Sequence, residues 1–112
     1  MLNHLAVILW NYHDEDVKGD TSCVLLNLKN IPSTKVFYTE YRIDDAHSNT
    51  YEVWKKMGSP QNPSPMQVSQ LEEAGLLQMN GMSNSIKVQS GIVNLKMAIP
   101  RQAVSLIMLE WE

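Results

Sequence analysis

Apolar positions fall in short runs separated by polar turn signals, a pattern that predicts strands. Residues 4–12 are almost continuously apolar, as expected of a strand that is covered on both faces. The polar, glycine-bearing residues 14–20 predict a hairpin turn, from which a second strand returns at Ser22–Leu28. A third strand is predicted at Lys35–Ile43, after the Pro32 turn.

Two short helices are predicted in the middle of the chain from their end signals. Asn49 is a good N-cap for a helix at residues 50–57, and Glu52 can complete a capping box with it. Gly58 supplies the left-handed residue that ends this helix.

The second helix is predicted from Ser64 as its N-cap, Pro65 at its first position and Gln67 closing a capping box. Gly75 is expected to end it. The inner face of this helix is expected to carry Val68, Leu71 and Ala74.

The remaining strands complete a mainly β fold. Residues 86–88 and 92–98 are predicted to pair across a two-residue hairpin at Ser90 and Gly91, and the last strand is predicted at residues 103–111. Six short strands without alternating crossover helices predict an antiparallel β-sandwich of immunoglobulin-like or fibronectin-like layout. The two short helices are inserted between its strands.

Composition limits the function classes. At 112 residues, with 44% hydrophobic and 19% charged residues, the chain is expected to form one domain. The net charge of −3 leaves no basic surface for nucleic acid, and no apolar run is long enough to span a membrane. Cys23 is the only cysteine, so no internal disulfide forms and the cellular compartment stays open.

One long mixed motif carries a resemblance to a known family. Residues 37–65 read FYTEYRIDDAHSNTYEVWKKMGSPQNPSP, and this block resembles the C-terminal accessory domain of family 39 glycoside hydrolases. That family holds the bacterial β-xylosidases and, more distantly, the α-L-iduronidases. Residues 9–17 (LWNYHDEDV) and 100–111 (PRQAVSLIMLEW) resemble the strands that open and close the same domain.

The resemblance implies a non-catalytic role. Residues 1–112 are expected to be a single accessory β-sandwich domain from a larger enzyme whose catalytic (β/α)8 barrel is absent, since that barrel alone needs about 250 residues. The parent enzyme is implied to be a retaining β-xylosidase that hydrolyses β-1,4-xylosides and releases xylose from xylo-oligosaccharides. The alternative from the residues themselves is an independent carbohydrate-binding module.

Carboxylates are the first candidates for chemistry, because retaining glycosidases use two of them about 5–5.5 Å apart. In the family that the chain resembles, both are glutamates of the barrel, so no catalytic residue is expected here. We interpret the glutamates on strand and helix positions as solvated surface: Glu40, Glu52, Glu72, Glu73, Glu110 and Glu112.

The loop after the third strand groups Asp44, Asp45, His47 and Ser48, which could be read as a nucleophile with its base and orienting acid. Catalytic triads are assembled in space, so closeness in sequence is no evidence for one, and we interpret these residues as caps and turn formers. A further interpretation stays open: Asp44, Asp45 and His47 form a substrate-proximal loop that leans toward the barrel's sugar-binding face in the intact enzyme.

The acidic turn of Asp14, Glu15, Asp16 and Asp20 could be read as a calcium loop. Lys18 occupies a ligand position, and Leu25 stands where the bidentate glutamate belongs. We therefore interpret the turn as a solvated hairpin tip, and expect no metal and no cofactor.

Five large aromatic residues could stack on sugar rings: Trp10, Tyr12, Tyr51, Trp54 and Trp111. We interpret them instead as core or domain-interface packing, with Trp54 facing inward beside Tyr51 and Met57.

The two terminal strands predict partners. Residues 4–12 and 103–111 are apolar at both alternating sets of positions, whereas a sandwich core needs only one face of each strand. The second face is expected to contact the parent's catalytic barrel, or a strand borrowed from the start of the parent chain. Without the barrel, the exposed strands are expected to drive self-association, which Ile8→Lys or Leu109→Lys should disrupt if the chosen residue faces outward.

Overall fold

The computed structural model describes residues 2–14 and 19–112. Seven strands and two helices follow one another along these residues: β1 (Asn3–Trp10), β2 (Ser22–Leu28), β3 (Lys35–Ile43), α1 (Thr50–Lys56), α2 (Pro65–Ala74), β4 (Gln78–Met79), β5 (Asn84–Lys87), β6 (Val93–Ile99) and β7 (Val104–Trp111).

The strands form two antiparallel sheets. The first has the order β1-β7-β3-β4, with β5 also pairing with β3, and the second consists of β2 and β6. The mainly β, antiparallel sandwich with two helices inserted between strands is therefore confirmed.

Two predicted hairpins are wrong, because consecutive strands cross between the sheets. β1 pairs with β7 and β2 pairs with β6, so consecutive strands β1 and β2 belong to different sheets. Ser90 and Gly91 do form the expected tight turn, with φ values of 54° and 74°, closed by a single bridge between Gln89 and Ile92. Beyond that bridge, β5 stays with β3 and β6 goes to β2.

The core lies between the two sheets and alternates along each strand. β6 buries every second residue from Val93 to Ile99, and β7 buries Ser105, Ile107 and Leu109. The partly buried positions of β1 and β2 face the same layer. This period of two follows from the pleat of a strand.

The apolar sequence of β1 predicted that both faces of this strand are covered, and the structure contradicts that prediction. Leu5, Val7 and Leu9 pack against the core, whereas Ala6 and Ile8 on the other face are exposed. An apolar run can therefore mark a strand whose second face lacks a partner within the described residues.

α1 begins and ends through local hydrogen bonds. The Asn49 side chain accepts a bond from the Glu52 backbone nitrogen at 3.1 Å, as predicted. The return bond of the capping box does not form, because the Glu52 carboxylate instead meets Lys55 at 2.8 Å. At the other end, Gly58 has a φ of 93° and donates to the carbonyl of Lys55, the left-handed stop expected from the sequence.

α2 forms the complete capping box between Ser64 and Gln67. Gly75 ends α2 in a right-handed conformation, so it is not needed as a left-handed stop. Glycine fits here because a Cβ would lie 2.6 Å from the Thr50 hydroxyl oxygen. The expected inner face is also partly wrong, since Val68 is exposed and no residue of α2 is buried.

The two helices pack on each other and stand apart from the sandwich. Neither helix packs extensively on a strand, and Thr50 donates to the Leu71 carbonyl at 2.8 Å across the helix pair. We call residues 49–77 the helical lobe. It extends the molecule, whose radius of gyration is 17.3 Å, against about 13 Å for a compact chain of this length.

Replacing Asn49 with alanine is expected to lower the melting temperature by several degrees. The change removes the N-cap acceptor of α1 and the bond from the Asn49 amide to the Asp44 carbonyl, and such caps are worth about 1 kcal/mol. Thermal unfolding followed by circular dichroism measures the shift. An unchanged melt would show that the cap does not support the fold.

Candidate functional site

The loop between β3 and α1 is held together by Asp44. Its carboxylate lies 2.8 Å from the His47 Nδ1 and accepts a hydrogen bond from the Ala46 backbone nitrogen at 2.9 Å. The Asp44 and His47 backbones also bond to each other. Asp45 is exposed. Of the three predicted site residues, the structure thus brings Asp44 and His47 together and leaves Asp45 at the surface.

The imidazole contact also decides which nitrogen faces outward. Because Nδ1 of His47 is engaged by Asp44, Nε2 is the ring atom left for a contact outside the loop. The pKa of Asp44 lies below its ordinary value: burial raises it, but the hydrogen bond with His47 and other bonds outweigh burial.

Glu40 is a buried charged residue, whereas the sequence analysis interpreted it as solvated surface. It is 7% exposed and lies on the core side of β3, not on the solvated surface. One carboxylate oxygen accepts from Arg42 at 2.6 Å and from the Ser105 hydroxyl; the other accepts from Asn80 at 3.0 Å. Tyr38 also points its hydroxyl at this oxygen, 3.5 Å away. We call Tyr38, Glu40, Arg42, Asn80 and Ser105 the Glu40 cluster.

The signal that could have found the Glu40 cluster is the strand period. Val36 is buried in the core, and residues an even number of positions later on the same strand share its face. Glu40 and Arg42 stand at this inward parity. Opposite charges two residues apart on one face of a core strand predict a buried pair.

The environment keeps the Glu40 carboxylate charged. Burial raises its pKa, but the hydrogen bonds from Ser105, Arg42 and Asn80 outweigh that effect and hold the pKa below 4.5. The same surroundings, first burial and then the negative charge of Glu40, raise the pKa of Tyr38 to about 12. A saturated, buried carboxylate has no proton to give at neutral pH and no accessible oxygen for attack, so Glu40 is suited to holding structure.

Arg42 connects the Glu40 cluster with the loop. One end of its guanidinium bonds to Glu40, and the other lies 3.9 Å from the Asp44 carboxylate. Its backbone carbonyl accepts from the Ser48 hydroxyl at 2.9 Å. The charged groups therefore run from the core to His47 at the surface.

The face of the larger sheet that points away from the core is apolar at one end. Cross-strand neighbours place Ile8, Leu106 and Tyr41 in one row, and Trp10, Val104 and Ile43 in the next. We call these six residues the outer face. Ile8 is 56% exposed and Trp10 is 68% exposed. The Asp44–His47 loop starts directly after Ile43, at the rim of the outer face.

The structure divides the five aromatic residues between the core and the surface. Trp111 packs against the core as expected, but Trp10 and Tyr12 are 68% and 69% exposed. They line a hollow of about 290 Å³ together with residues 102–104. Trp54 is half-buried, with its Nε1 donating to the Pro60 carbonyl at 2.9 Å, and stacks on an exposed Tyr51.

The described part of the chain shows neither a metal cluster nor a membrane-spanning helix. The acidic turn of the calcium interpretation lies mainly outside it, since residues 15–18 are not described. Within residues 2–14 and 19–112, no group of three acidic, histidine or cysteine side chains could hold a metal ion. Neither described helix has the length and apolar character that crossing a bilayer requires.

Comparison with known proteins places this fold within larger enzymes. No family model matches the chain. A β-xylosidase of Geobacillus stearothermophilus is 29% identical over 106 residues, which is 95% of this chain and 20% of that protein. The chain therefore spans about a fifth of the length of the curated relative that it matches.

Solved structures show the same fold at low identity. A GH39 enzyme from Xanthomonas axonopodis pv. citri matches with a TM-score of 0.81 and 16% identity, over 96% of this chain and 24% of that one. A monomeric β-xylosidase from Caulobacter crescentus CB15 matches with a TM-score of 0.70 and 21% identity, over 96% and 24% of the chains. The resemblance expected from the sequence is confirmed: the chain is similar to one part of such enzymes.

Proposed function

We propose that residues 1–112 form a non-catalytic accessory domain of a retaining β-xylosidase, which removes xylose from xylo-oligosaccharides. The observation that carries this proposal is the coverage: 95% of this chain aligns with only 20% of a β-xylosidase. A domain that matches one fifth of an enzyme has the scale of an addition to the catalytic unit.

The outer face is the surface that meets the catalytic barrel. Aromatic side chains cover about 150–250 Å² each, so Trp10 of the outer face and Tyr12, which lines the same hollow, leave roughly 200–350 Å² open, since both are more than two-thirds exposed. Ile8, Ile43 and Leu106 add to that area. The largest apolar patch on a protein surface is often an interaction site, and this one is offered as the contact with the barrel.

The Asp44, Asp45 and His47 loop then lies at the edge of that interface, on the side of the barrel's sugar-binding face. The support is geometric: the loop follows Ile43 of the outer face without an intervening residue, and His47 keeps Nε2 for an outside contact. Loops at a domain boundary commonly complete a neighbouring cleft. In this role the three residues adjust the cleft and do no chemistry.

The isolated chain is expected to hydrolyse no aryl β-xyloside. The physical reason is that the family's two catalytic glutamates belong to the barrel, and Glu40, the most enclosed carboxylate described here, is fully hydrogen-bonded. Release of the aryl alcohol is followed by absorbance, with the intact Geobacillus enzyme as the positive control. Turnover above a buffer blank that disappears on mutating one carboxylate of this chain would overturn the accessory role.

A second candidate, an independent carbohydrate-binding module, is favoured by one observation. Trp10 and Tyr12 are exposed side by side around a hollow, and the Tyr12 segment is anchored by two hydrogen bonds between His13 and Gln102. Calorimetric titration with xylo-oligosaccharides separates the two functions. Saturable binding of xylo-oligosaccharides that is lost in Trp10→Ala but kept in Tyr51→Ala favours the module. No detectable heat of binding favours the accessory domain.

A further inference from the structure

We propose that Glu40 and Arg42 are positioning residues that clamp the helical lobe to the sandwich at both of its ends. The inference concerns this chain's own mechanics and does not depend on the proposed function. It starts from the weak packing of the lobe: α1 and α2 contact each other far more than they contact any strand. The orientation of the lobe is therefore set at its two connections to the sheet.

The entry connection is fixed to Arg42. The Ser48 hydroxyl donates to the Arg42 carbonyl at 2.9 Å, and the Arg42 guanidinium attracts the Asp44 carboxylate. The Asp44 backbone carbonyl in turn accepts a hydrogen bond from the Asn49 side-chain amide at 3.1 Å. Asn49 is the N-cap of α1, so the first helix begins on a residue that this chain of contacts holds.

The exit connection is fixed to Glu40. After α2 the chain returns to the sheet at β4, where the Asn80 backbone nitrogen donates to the Glu40 carbonyl at 2.8 Å. The Asn80 side chain donates to the Glu40 carboxylate at 3.0 Å. One bond joins the two connections directly: the Gln78 nitrogen donates to the Ser48 hydroxyl oxygen at 2.8 Å. Entry and exit thus share one pair of charged residues.

The buried pair is poorly arranged for stability alone. Arg42 Nε is buried without a hydrogen-bond partner, and the Arg42–Asp44 approach of 3.9 Å is long. Buried ion pairs are commonly no more stabilising than apolar residues of the same size, whereas they can fix one geometry among several. Clamping the lobe in one orientation is the property that this arrangement provides.

Hydrogen exchange of the full chain, read by mass spectrometry and corrected for intrinsic rates, tests the clamp. Asn80→Ala removes the side-chain bond of the exit connection without leaving an unpaired charge, and leaves the backbone bond between Asn80 and Glu40 in place. We expect exchange in residues 44–49 and 65–80 to rise by about tenfold or more, because a bond to a charged group is worth at least that factor. The β1–β7 amides should be unchanged. The matched control is Asn94→Ala, which removes the exposed hydrogen bond between Asn27 and Asn94 on the other sheet.

Hydrogen exchange measured over a pH series separates the clamp from a general contribution of Glu40 to stability. Lobe exchange in the wild type should step up as the pH falls through the lowered pKa of Glu40, and Glu40→Gln should lack this step. If Glu40→Gln does not fold, Asn80→Ala carries the test by itself. Lobe exchange unchanged in Asn80→Ala, or raised equally across the whole chain, would overturn the clamp.

Discussion

Arg42→Ala is expected to destabilise the fold by about 3–5 kcal/mol, because it leaves the Glu40 charge buried without its cation. The native state of a domain this size is stable by only about 5–15 kcal/mol, so a large share of the stability is lost. The melting temperature should fall by on the order of 15 °C. Urea unfolding measured by tryptophan fluorescence gives the free energy directly.

A paired variant shows whether the charge or the volume matters. Glu40→Gln combined with Arg42→Met removes both charges and keeps one side-chain oxygen, which can accept from either Ser105 or Asn80. This double variant should lie closer to the wild type than Arg42→Ala does, since no unpaired charge remains. An Arg42→Ala chain with wild-type stability would show that Glu40 is not charged when buried.

The Glu40 cluster also predicts the pH range of the fold. Carboxyl groups with lowered native pKa values stabilise the fold fully above their unfolded values, which are 4.5 for Glu40 and 3.8 for Asp44. That contribution is lost as the pH falls through the lower native pKa values. Tyr38 has the opposite sign: its pKa of about 12 stabilises the fold below pH 10.0, and the contribution is lost as the pH rises toward 12.

Ile8→Lys is expected to convert self-associating chains into monomers. Without a partner domain, the outer face of one chain can bury its apolar area only against another copy. Ile8 is 56% exposed on this face, opposite Leu106. A lysine there places a charge in the contact, and desolvating an unpaired charge is strongly unfavourable. Sedimentation equilibrium at increasing concentration measures the change in mass.

Leu25→Lys is the matched control, since Leu25 is 76% exposed on the other sheet and its replacement should leave the mass unchanged. Leu109→Lys, the other substitution suggested by the apolar terminal strands, cannot test self-association. Leu109 is 0% exposed and faces the core, so lysine there would unfold the chain. A wild-type chain that stays monomeric at millimolar concentration would contradict the expected association.

Features that depend on neighbouring residues were predictable from the sequence. The capping box of Ser64 and Gln67, the left-handed stop at Gly58 and the turn at Ser90 and Gly91 all formed. Each is decided by hydrogen bonds and backbone dihedrals within four residues. The motif at residues 37–65 carried the family resemblance for the same reason, since it is legible along the chain.

Features that depend on which segments meet were decided only by the tertiary structure. β1 pairs with β7 at the far end of the chain, and no local signal distinguishes that pairing from a hairpin with β2. The same pairing turns Leu109 inward and Trp10 outward, although both lie in apolar strands. Glu40 is buried because Ser105 and Asn80, distant in sequence, supply its donors. A charge can remain in a core only when the fold delivers such partners, and their arrival is a property of the assembled sheets.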